Sequence, residues 1–275
     1  MLAAAAKQLA AAGIAEPRRE ARLVVALALS TEPTAVLGWP ERAVESGALA
    51  AAEQLVARRA RGEPFSRLRG RREFWSLDFA LSGDTLDPRP DSEALVAAAL
   101  ADLPGRADRL RVVDYGTGTG CLLLALLSEL PSSRGVGIDI APGALAMARC
   151  NAAALGLAAR TKFQLGGWDC QIDQPADVIL ANPPYIPSSE IGRLPLEVRE
   201  FDPVIALDGG FDGLAAYRAL GPAIRRSLAS LGRAYIEVGA GQASQAARIF
   251  SEAGLTIAAV RRDLADIERC VVATL

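Results

Sequence analysis

Two short segments of this 275-residue sequence carry groups whose types and spacing could do chemistry. The first is the run DYGTGTG at residues 114–120, which lies between an apolar strand pattern and an apolar helical stretch. Its alternate glycines let the backbone approach a ligand, and the N–H groups of the loop and the following helix face that ligand. Asp139, 19 residues after Gly120, ends the next predicted strand and can accept both ribose hydroxyls of a nucleoside. The segment therefore predicts a nucleoside-binding loop.

The second segment is Asn182-Pro183-Pro184-Tyr185, which directly follows an apolar predicted strand. Its two prolines fix the backbone and remove two N–H donors, so the Pro183 carbonyl is held as an acceptor with few local competitors. The Asn182 side-chain oxygen is a second acceptor, and Tyr185 offers a flat face for stacking. A rigid pair of acceptors suits a planar –NH2 group, which it can hold by both hydrogens.

The composition excludes several other kinds of catalysis. The chain has no histidine, which removes Ser-His-Asp and Cys-His nucleophiles, histidine bases and histidine-bearing zinc sites. The four cysteines are scattered and are expected to be free thiols, with no metal site. A nucleoside cofactor beside a held amino group then points to methyl transfer from S-adenosylmethionine, with S-adenosylhomocysteine as the product. Acceptors on the –NH2 hydrogens would stabilise the positive charge that grows on nitrogen in the transition state.

The periodicity predicts helices over about the first 62 residues and then an alternation of strands and helices. Residues 74–88 predict a hairpin, in which Ser82-Gly83-Asp84 is the turn signal. We expect an α/β fold: a doubly wound (Rossmann-like), mostly parallel seven-stranded sheet, a small all-α N-terminal domain and a β-hairpin connector. The expected domains are residues 1–73, 74–90 and 91–275. The predicted strands are Arg111–Asp114, Gly135–Ile140, Thr161–Leu165, Asp177–Ala181, Ala234–Val238, Thr256–Val260 and Cys270–Thr274.

The charge and hydropathy of the chain limit the classes of partner that it could bind. The net charge is −2 and the pI is about 5.5, so we expect no direct nucleic-acid binding. No apolar run approaches the ~18 residues of a membrane span. Lys7 splits the alanine-rich start, which predicts a helix and not a signal peptide, and hence a cytoplasmic location. Seven arginines lie between Arg58 and Arg72, either as a solvated surface or as a docking surface for an acidic or RNA-bearing partner.

The chain resembles the S-adenosylmethionine-dependent methyltransferases and, among them, the release factor glutamine methyltransferases (the PrmC/HemK family). Asn-Pro-Pro-Tyr alone is not specific, because amino methyltransferases of DNA adenine and rRNA guanine share it. Further matches follow the family's order from about residue 63 to the end. Besides DYGTGTG and NPPYIP they are Glu63-Pro64, GRREFWSLDF at 70–79, PRPDSE at 88–93, FDP at 201–203, ALDGGFDGL at 206–214 and RDLADIERCVVA at 262–273.

The resemblance implies methylation of the side-chain amide nitrogen (N5) of the glutamine in the Gly-Gly-Gln motif of class 1 peptide-chain release factors. It implies that the helical domain grips the release factor and that the enzyme is a monomer. Asn182, Pro183 and Tyr185 would be the catalytic residues, and Pro184 would join them in binding the substrate glutamine. The implied cofactor-binding residues are Gly116, Thr117, Gly118, Thr119, Gly120, Asp139, Trp168, which would flank the adenine, and Asn182.

Three positions depart from the family pattern. Gly167 stands where an aspartate often contacts the adenine, a contact that Asp169 could take over. Tyr115 and Asp87 replace aliphatic residues. The alternatives that stay open are a glutamine methyltransferase of a ribosomal protein, an amino methyltransferase of rRNA or DNA, and a non-catalytic cofactor-binding module. A DNA enzyme would be expected to carry a target-recognition region and a basic groove, and a single turnover would exclude the non-catalytic module.

Overall fold

The computed structural model describes residues 1–38, 43–103 and 109–275. The chain divides into two compact units. The first comprises Met1–Arg71 with Pro195–Phe201, and the second comprises Arg72–Leu194 with Asp202–Leu275. The short segment 195–201 is a member of the first unit that the sequence patterns did not indicate. The expected functional boundaries at residues 73 and 90 stay a prediction.

The first unit is helical. Pro17 opens its second helix, where the missing N–H of proline costs nothing, and Gly13 adopts a positive φ in the turn before it. Leu9, Val24 and Val56 are buried together at its centre. The described helices of this unit are α1 Leu2–Ala11, α2 Pro17–Ala28, α3 Pro33–Gly38, α4 Ser46–Ala60, α5 Phe65–Arg69 and, later in the chain, α9 Leu196–Phe201.

A buried arginine links three helices of this unit. Arg59 on α4 is only 6% exposed. Its Nε lies 2.7 Å from Glu20 Oε2 on α2, and a second guanidinium nitrogen lies 2.7 Å from Glu197 Oε1 on α9. Arg58 is also paired, because its Nε donates to Glu63 Oε2 at 2.8 Å. At least two of the seven clustered arginines are therefore engaged in ion pairs inside the unit.

The second unit is built on a seven-stranded sheet, which confirms the predicted fold class. Its strands, numbered after the two strands of a separate hairpin, are β3 Arg111–Tyr115, β4 Arg134–Asp139, β5 Thr161–Leu165, β6 Ala176–Ala181, β7 Leu228–Glu237, β8 Thr256–Arg262 and β9 Glu268–Thr274. The strand order is β5-β4-β3-β6-β7-β9-β8, and all neighbours are parallel except that β9 runs antiparallel to both β7 and β8. β7 begins six residues earlier than the sequence pattern indicated.

Both faces of this sheet are covered by helices, which explains the nearly continuous apolar runs of its central strands. In β6, Val178 and Leu180 pack on one face, whereas Ile179 and Ala181 pack on the other. None of the described helices of the chain is both long and apolar enough to cross a membrane. The first face packs against α6 Glu93–Asp102, α7 Cys121–Glu129 and α8 Pro142–Ala154, and the second against α10 Ala215–Ser227 and α11 Ala243–Glu252.

The hairpin lies earlier than expected. Its strands are β1 Arg71–Phe74 and β2 Leu77–Ala80, and they are joined by Trp75 and Ser76, which both have positive φ. Ser82-Gly83-Asp84 lies outside the hairpin, so the sequence expectation for the turn was wrong. Two tertiary hydrogen bonds hold this turn and could not be read from local sequence: Trp75 N donates to Glu93 Oε1 at 2.8 Å, and Trp75 Nε1 donates to Glu129 Oε1 at 3.1 Å.

We expect Arg59→Met to lower the free energy of unfolding of the helical unit by about 3 kcal/mol, because Glu20 would keep its charge without its buried partner. Urea titrations followed by far-UV circular dichroism measure this change. Arg19→Met is the matched control, since Arg19 pairs with Glu16 at an exposed position of the same unit and should leave the titration unchanged. Equal effects of the two substitutions would contradict the structural role of Arg59.

Candidate active site

A cavity of about 480 Å³ lies where β3, β4 and β6 end at their carboxyl termini. Ligands bind at this edge of doubly wound sheets because the loops diverge there. Seven of the sequence-predicted cofactor residues line the cavity: Gly116, Thr117, Gly118, Thr119, Asp139, Trp168 and Asn182. Pro184 also lines it, whereas Gly120, Pro183 and Tyr185 are not part of the lining.

The glycine loop is held against the end of β4. Gly116 N and Thr117 N both donate to the Ile138 carbonyl, at 2.8 and 3.0 Å. Gly118 N donates to Asp139 Oδ2 at 2.9 Å, and Ala141 N donates to Asp139 Oδ1 at 2.9 Å. Each carboxylate oxygen of Asp139 therefore accepts one backbone hydrogen bond and keeps a lone pair for a ligand. Gly118 has a φ of +54°, and a Cβ placed on it would meet nothing closer than 4.0 Å, so the space beside it is open.

Gly120 lies at the start of α7 and not in the cavity lining, unlike Gly116 and Gly118. It is the N-cap of α7 with a φ of +82°, and a Cβ there would lie 3.1 Å from Leu124 Cδ1 and 3.4 Å from the Ala148 Cβ. Its lack of a side chain allows helices α7 and α8 to pack closely. Its assignment to the cofactor stays a prediction.

Asp114, near the end of β3, stabilises the glycine loop through its side chain. Its Oδ2 accepts a hydrogen bond from the Thr117 hydroxyl at 2.7 Å. Burial, assisted by the nearby Asp139 charge, raises the pKa of Asp114 to about 7 against the opposing effect of the hydrogen bond from Thr117. The folded protein therefore holds this carboxyl with a much higher proton affinity than the unfolded chain.

Trp168 closes the cavity on the side of the loop after β5. A Cβ on Gly116 would lie 3.3 Å from Trp168 Cη2, so the indole edge lies over the glycine loop. The same segment is tied to β4, because Gly166 N donates to the Asp139 carbonyl at 3.0 Å. A Cβ on Gly167 would lie 3.3 Å from Asp169 Oδ1, so the carboxylate of Asp169 lies beside the position where the family pattern often has an aspartate.

At the Asn-Pro-Pro-Tyr corner the side-chain donors are hydrogen-bonded within the protein, and acceptor atoms are left for a ligand. Asn182 Nδ2 donates to Ser92 Oγ at 3.0 Å, and within the described residues Asn182 Oδ1 accepts no hydrogen bond. The Pro183 carbonyl likewise accepts none from the part of the chain that the structure describes. The Tyr185 hydroxyl donates to Glu237 Oε1 at 3.3 Å. Asn182 is thus placed to use its oxygen toward the cavity.

The backbone of Tyr185 is clamped from the loop after β7. Gln242 Nε2 donates to the Tyr185 carbonyl at 3.0 Å, and Gln242 Oε1 accepts from the Tyr217 hydroxyl at 3.1 Å. A Cβ on Gly239 would lie 3.0 Å from Tyr185 Cδ2, so the ring packs directly against that backbone. Sequence reasoning missed the roles of Ser92, Glu237 and Gln242. The available signal was that Ser92 falls inside the PRPDSE match and that Glu237 ends an apolar strand.

Cys121 also lines the cavity but is not a nucleophile. Burial raises the pKa of its thiol to about 12, so the thiol stays protonated at neutral pH. Within the described residues no group of three or more cysteine and carboxylate side chains is placed to hold a metal ion.

The fold and this site define the class of protein. A parallel sheet with a glycine-rich loop after β3, an acid at the end of β4 and an apolar strand leading into Asn-Pro-Pro-Tyr is the arrangement of a methyltransferase domain. Residues 107–211 match the family model described as a methyltransferase domain, and residues 1–70 match the PrmC N-terminal domain. A solved ribosomal protein L11 methylase from Lactobacillus delbrueckii subsp. bulgaricus shares the fold, with 17% identity and a TM-score of 0.51 over 70% of this chain and 83% of that one.

The particular family follows from full-length similarity. The chain is 47% identical to the release factor glutamine methyltransferase of Rhodospirillum rubrum, over 97% of this chain and 81% of that protein. It is 41% identical to that of Cereibacter sphaeroides over 100% and 97%, and 42% identical to that of Bradyrhizobium diazoefficiens over 98% and 91%. The chain belongs to the release factor glutamine methyltransferase family and is a methyltransferase.

We expect the stability that Asp114 contributes to fall as pH rises from about 4 to about 7. Across that range the folded state binds more protons than the unfolded state, whose aspartate pKa is about 3.9. Urea titrations of the wild type and Asp114→Asn at several pH values should show the wild type losing its relative advantage with rising pH. Asp263→Asn is the control, because the pKa of Asp263 is lowered by the N–H groups it accepts, so its effect should not change between pH 5 and 8. A pH-independent effect of Asp114→Asn would contradict the assignment.

Proposed function

We propose that this protein transfers a methyl group from S-adenosylmethionine to the side-chain amide nitrogen, N5, of the glutamine in the Gly-Gly-Gln motif of class 1 release factors. The observation that carries the proposal is the pair of acceptors at the corner after β6, Asn182 Oδ1 and the Pro183 carbonyl, to which no described residue donates a hydrogen bond. The names of the full-length relatives supply the substrate class, since they are release factor glutamine methyltransferases.

The cavity fits the proposed cofactor. Its volume of about 480 Å³ lies within the roughly 300–1,000 Å³ usual for small-molecule sites. Asp139 keeps one lone pair on each carboxylate oxygen, which suits the two hydroxyls of a ribose. The open space beside Gly118 lets the backbone approach a ligand closely. Trp168 would flank the adenine, and Asp169 beside Gly167 would replace the aspartate that the family pattern has there.

When bound, the cofactor would supply a methyl group that is already activated by the sulfonium. The protein then has to orient the nucleophile and stabilise the positive charge that develops on it. Asn182 Oδ1 would accept one hydrogen of the substrate amide and the Pro183 carbonyl the other, which fixes the –NH2 plane. As the nitrogen bonds to the methyl carbon its hydrogens become more positive, so both hydrogen bonds strengthen in the transition state. An amide lone pair is delocalised, so this stabilisation matters more for an amide than for an amine.

The proposal also covers how the release factor docks and where the enzyme acts. The helical unit, which matches the PrmC N-terminal domain, would dock the release factor. Arg58 and Arg59 are engaged in ion pairs within that unit, so they are not the arginines we assign to docking. We expect the enzyme to act as a monomer in the cytoplasm, where translation termination takes place.

Transfer of labelled methyl from S-adenosylmethionine to purified release factor tests the function. We expect label on the wild-type release factor and none on a factor whose Gly-Gly-Gln glutamine is changed to alanine. Mass spectrometry of the labelled peptide would place the methyl group on N5. Label on neither factor, with cofactor binding confirmed by calorimetry, would contradict the proposal and direct the search to ribosomal protein or RNA.

Asn182→Ala should reduce turnover by about 10²-fold, the usual cost of removing one preorganised polar group from a site. The affinity for S-adenosylhomocysteine, measured by calorimetry, should change little because Asp139 and the glycine loop remain. The matched control is Gln174→Ala, which removes an exposed amide before the amino end of the same strand and should leave turnover unchanged. Unchanged turnover in Asn182→Ala would exclude the acceptor role.

A further inference from the structure

A buried carboxylate lies behind the Asn-Pro-Pro-Tyr corner and is not part of the cavity lining. Glu237 is the last residue of β7, beside β6 in the sheet, and is 1% exposed. Its Oε1 accepts from the Tyr185 hydroxyl at 3.3 Å. Ser92, whose Oγ accepts from the Asn182 amide, lies near the same carboxyl and favours its charged form, while Oε2 has no hydrogen-bond partner among the described residues. An ionised side chain this deeply buried needs an explanation, because it is costly without full pairing.

The chemistry of these groups gives their hydrogen bonds a direction. A carboxylate only accepts, so a hydroxyl beside it is stabilised with its hydrogen turned toward it, and this is the orientation that we assign to Ser92. The lone pairs of Ser92 Oγ are then left to accept from Asn182 Nδ2, which is the bond observed at 3.0 Å. Once Nδ2 is committed to Ser92, the amide must turn Oδ1 the other way, toward the cavity. With the Ser92 hydroxyl in this orientation, the Asn182 amide presents its oxygen to the cavity.

We propose that Glu237 is a positioning residue, which acts through the hydroxyls of Ser92 and Tyr185 to hold Asn182 Oδ1 and the Tyr185 ring in the orientation needed for the substrate amide. The inference rests on the proposed function of Asn182 as an acceptor. It extends that function to Ser92, which lines the cavity, and to Tyr185 and Glu237, which are not part of the lining. If Glu237 becomes a donor, Ser92 loses its fixed direction and the Asn182 amide can rotate to present Nδ2, which would repel a substrate –NH2 group.

The electrostatic surroundings of Glu237 support this role. Burial raises its pKa to about 7, while Ser92, Arg269 and Tyr185 favour the charged form and Asp91 opposes it. Above pH 7 the group is therefore an acceptor only, and below pH 7 it gains a proton and can donate. The titratable and charged groups that face it are Asp91 before α6, Cys121 on α7, Tyr185 after β6, Tyr217 on α10, and Arg269 and Cys270 on β9.

Glu237→Gln tests the proposal, because the glutamine has the same shape but carries a donor. We expect kcat for release factor methylation to fall about tenfold or more, the usual scale for losing the partner of a site residue. The affinity for S-adenosylhomocysteine should change less than about twofold, since Glu237 does not reach the cavity. The wild-type kcat should rise with pH through about 7, and the variant should lack this rise. Asp102→Asn is the matched control: its side chain is also largely buried and accepts from Tyr235 on β7, and its activity should stay at the wild-type level.

A double-mutant cycle separates positioning from a general structural effect. If Glu237 acts through Asn182, then Glu237→Gln should change the activity of Asn182→Ala by less than about threefold. Ser92→Ala should reproduce most of the loss seen in Glu237→Gln, and Ser92→Thr, which keeps the hydroxyl, should restore activity. An equal loss from Glu237→Gln in the wild-type and Asn182→Ala backgrounds would overturn the proposal.

A measurement without substrate keeps this inference distinct from the proposed function. The side-chain amide protons of Asn182, assigned by comparing nitrogen-15 spectra with those of Asn182→Ala, should be protected from exchange in the wild type by the bond to Ser92. Glu237→Gln should speed their exchange or shift their resonances, whereas Asp102→Asn should not. If the wild type methylates no release factor but these resonances respond as expected, the proposed function fails and the positioning role stands. Unchanged resonances in Glu237→Gln would remove the positioning role whatever the substrate.

Discussion

The hydrogen bond from Asn182 Nδ2 to Ser92 Oγ decides what the cavity offers to a ligand. An asparagine amide has a donor side and an acceptor side of nearly the same shape, so packing alone does not select between them. Once Nδ2 is used, only Oδ1 remains for the cavity, and the two following prolines add a carbonyl but no N–H group. The chemistry of the corner therefore depends on a residue ninety positions earlier in the chain.

The sheet brings these distant residues together. Tyr115 of β3 pairs with Ala181 of β6, and Ala181 pairs on its other side with Ile236 of β7. Because the three strands are parallel, the residues that follow them leave the sheet at the same edge. The glycine loop, the Asn-Pro-Pro-Tyr corner and Glu237 are thus adjacent as a consequence of register. Ser92 reaches the same edge because it precedes α6, which packs on the face formed by Val178 and Leu180.

The parts of the fold that could be predicted from the sequence are those with a local signal, either an apolar run or a residue type that restricts the backbone. The seven strands were visible as apolar runs, and residues 114–120 and 182–185 were visible because glycine and proline restrict the backbone in known ways. The hairpin turn was misplaced because Trp75 and Ser76 have no local preference for positive φ and are held by Glu93 and Glu129. Glu237 was missed although it ends an apolar strand, because the partner that gives it a role, Tyr185, is distant in the sequence.

The absence of histidine from the chain agrees with the reaction that we propose. An amide nitrogen that has gained a methyl group carries a positive charge without the resonance that made it unreactive, so it is a strong acid and loses a proton readily. The step that needs help comes earlier, while the lone pair is drawn out of the amide, and acceptors on the two hydrogens provide that help. A base strong enough to compete for the proton of the free amide would add little. What the site needs is a fixed set of weak acceptors, and a buried carboxylate behind them is a way to keep them fixed without placing a charge against the cofactor.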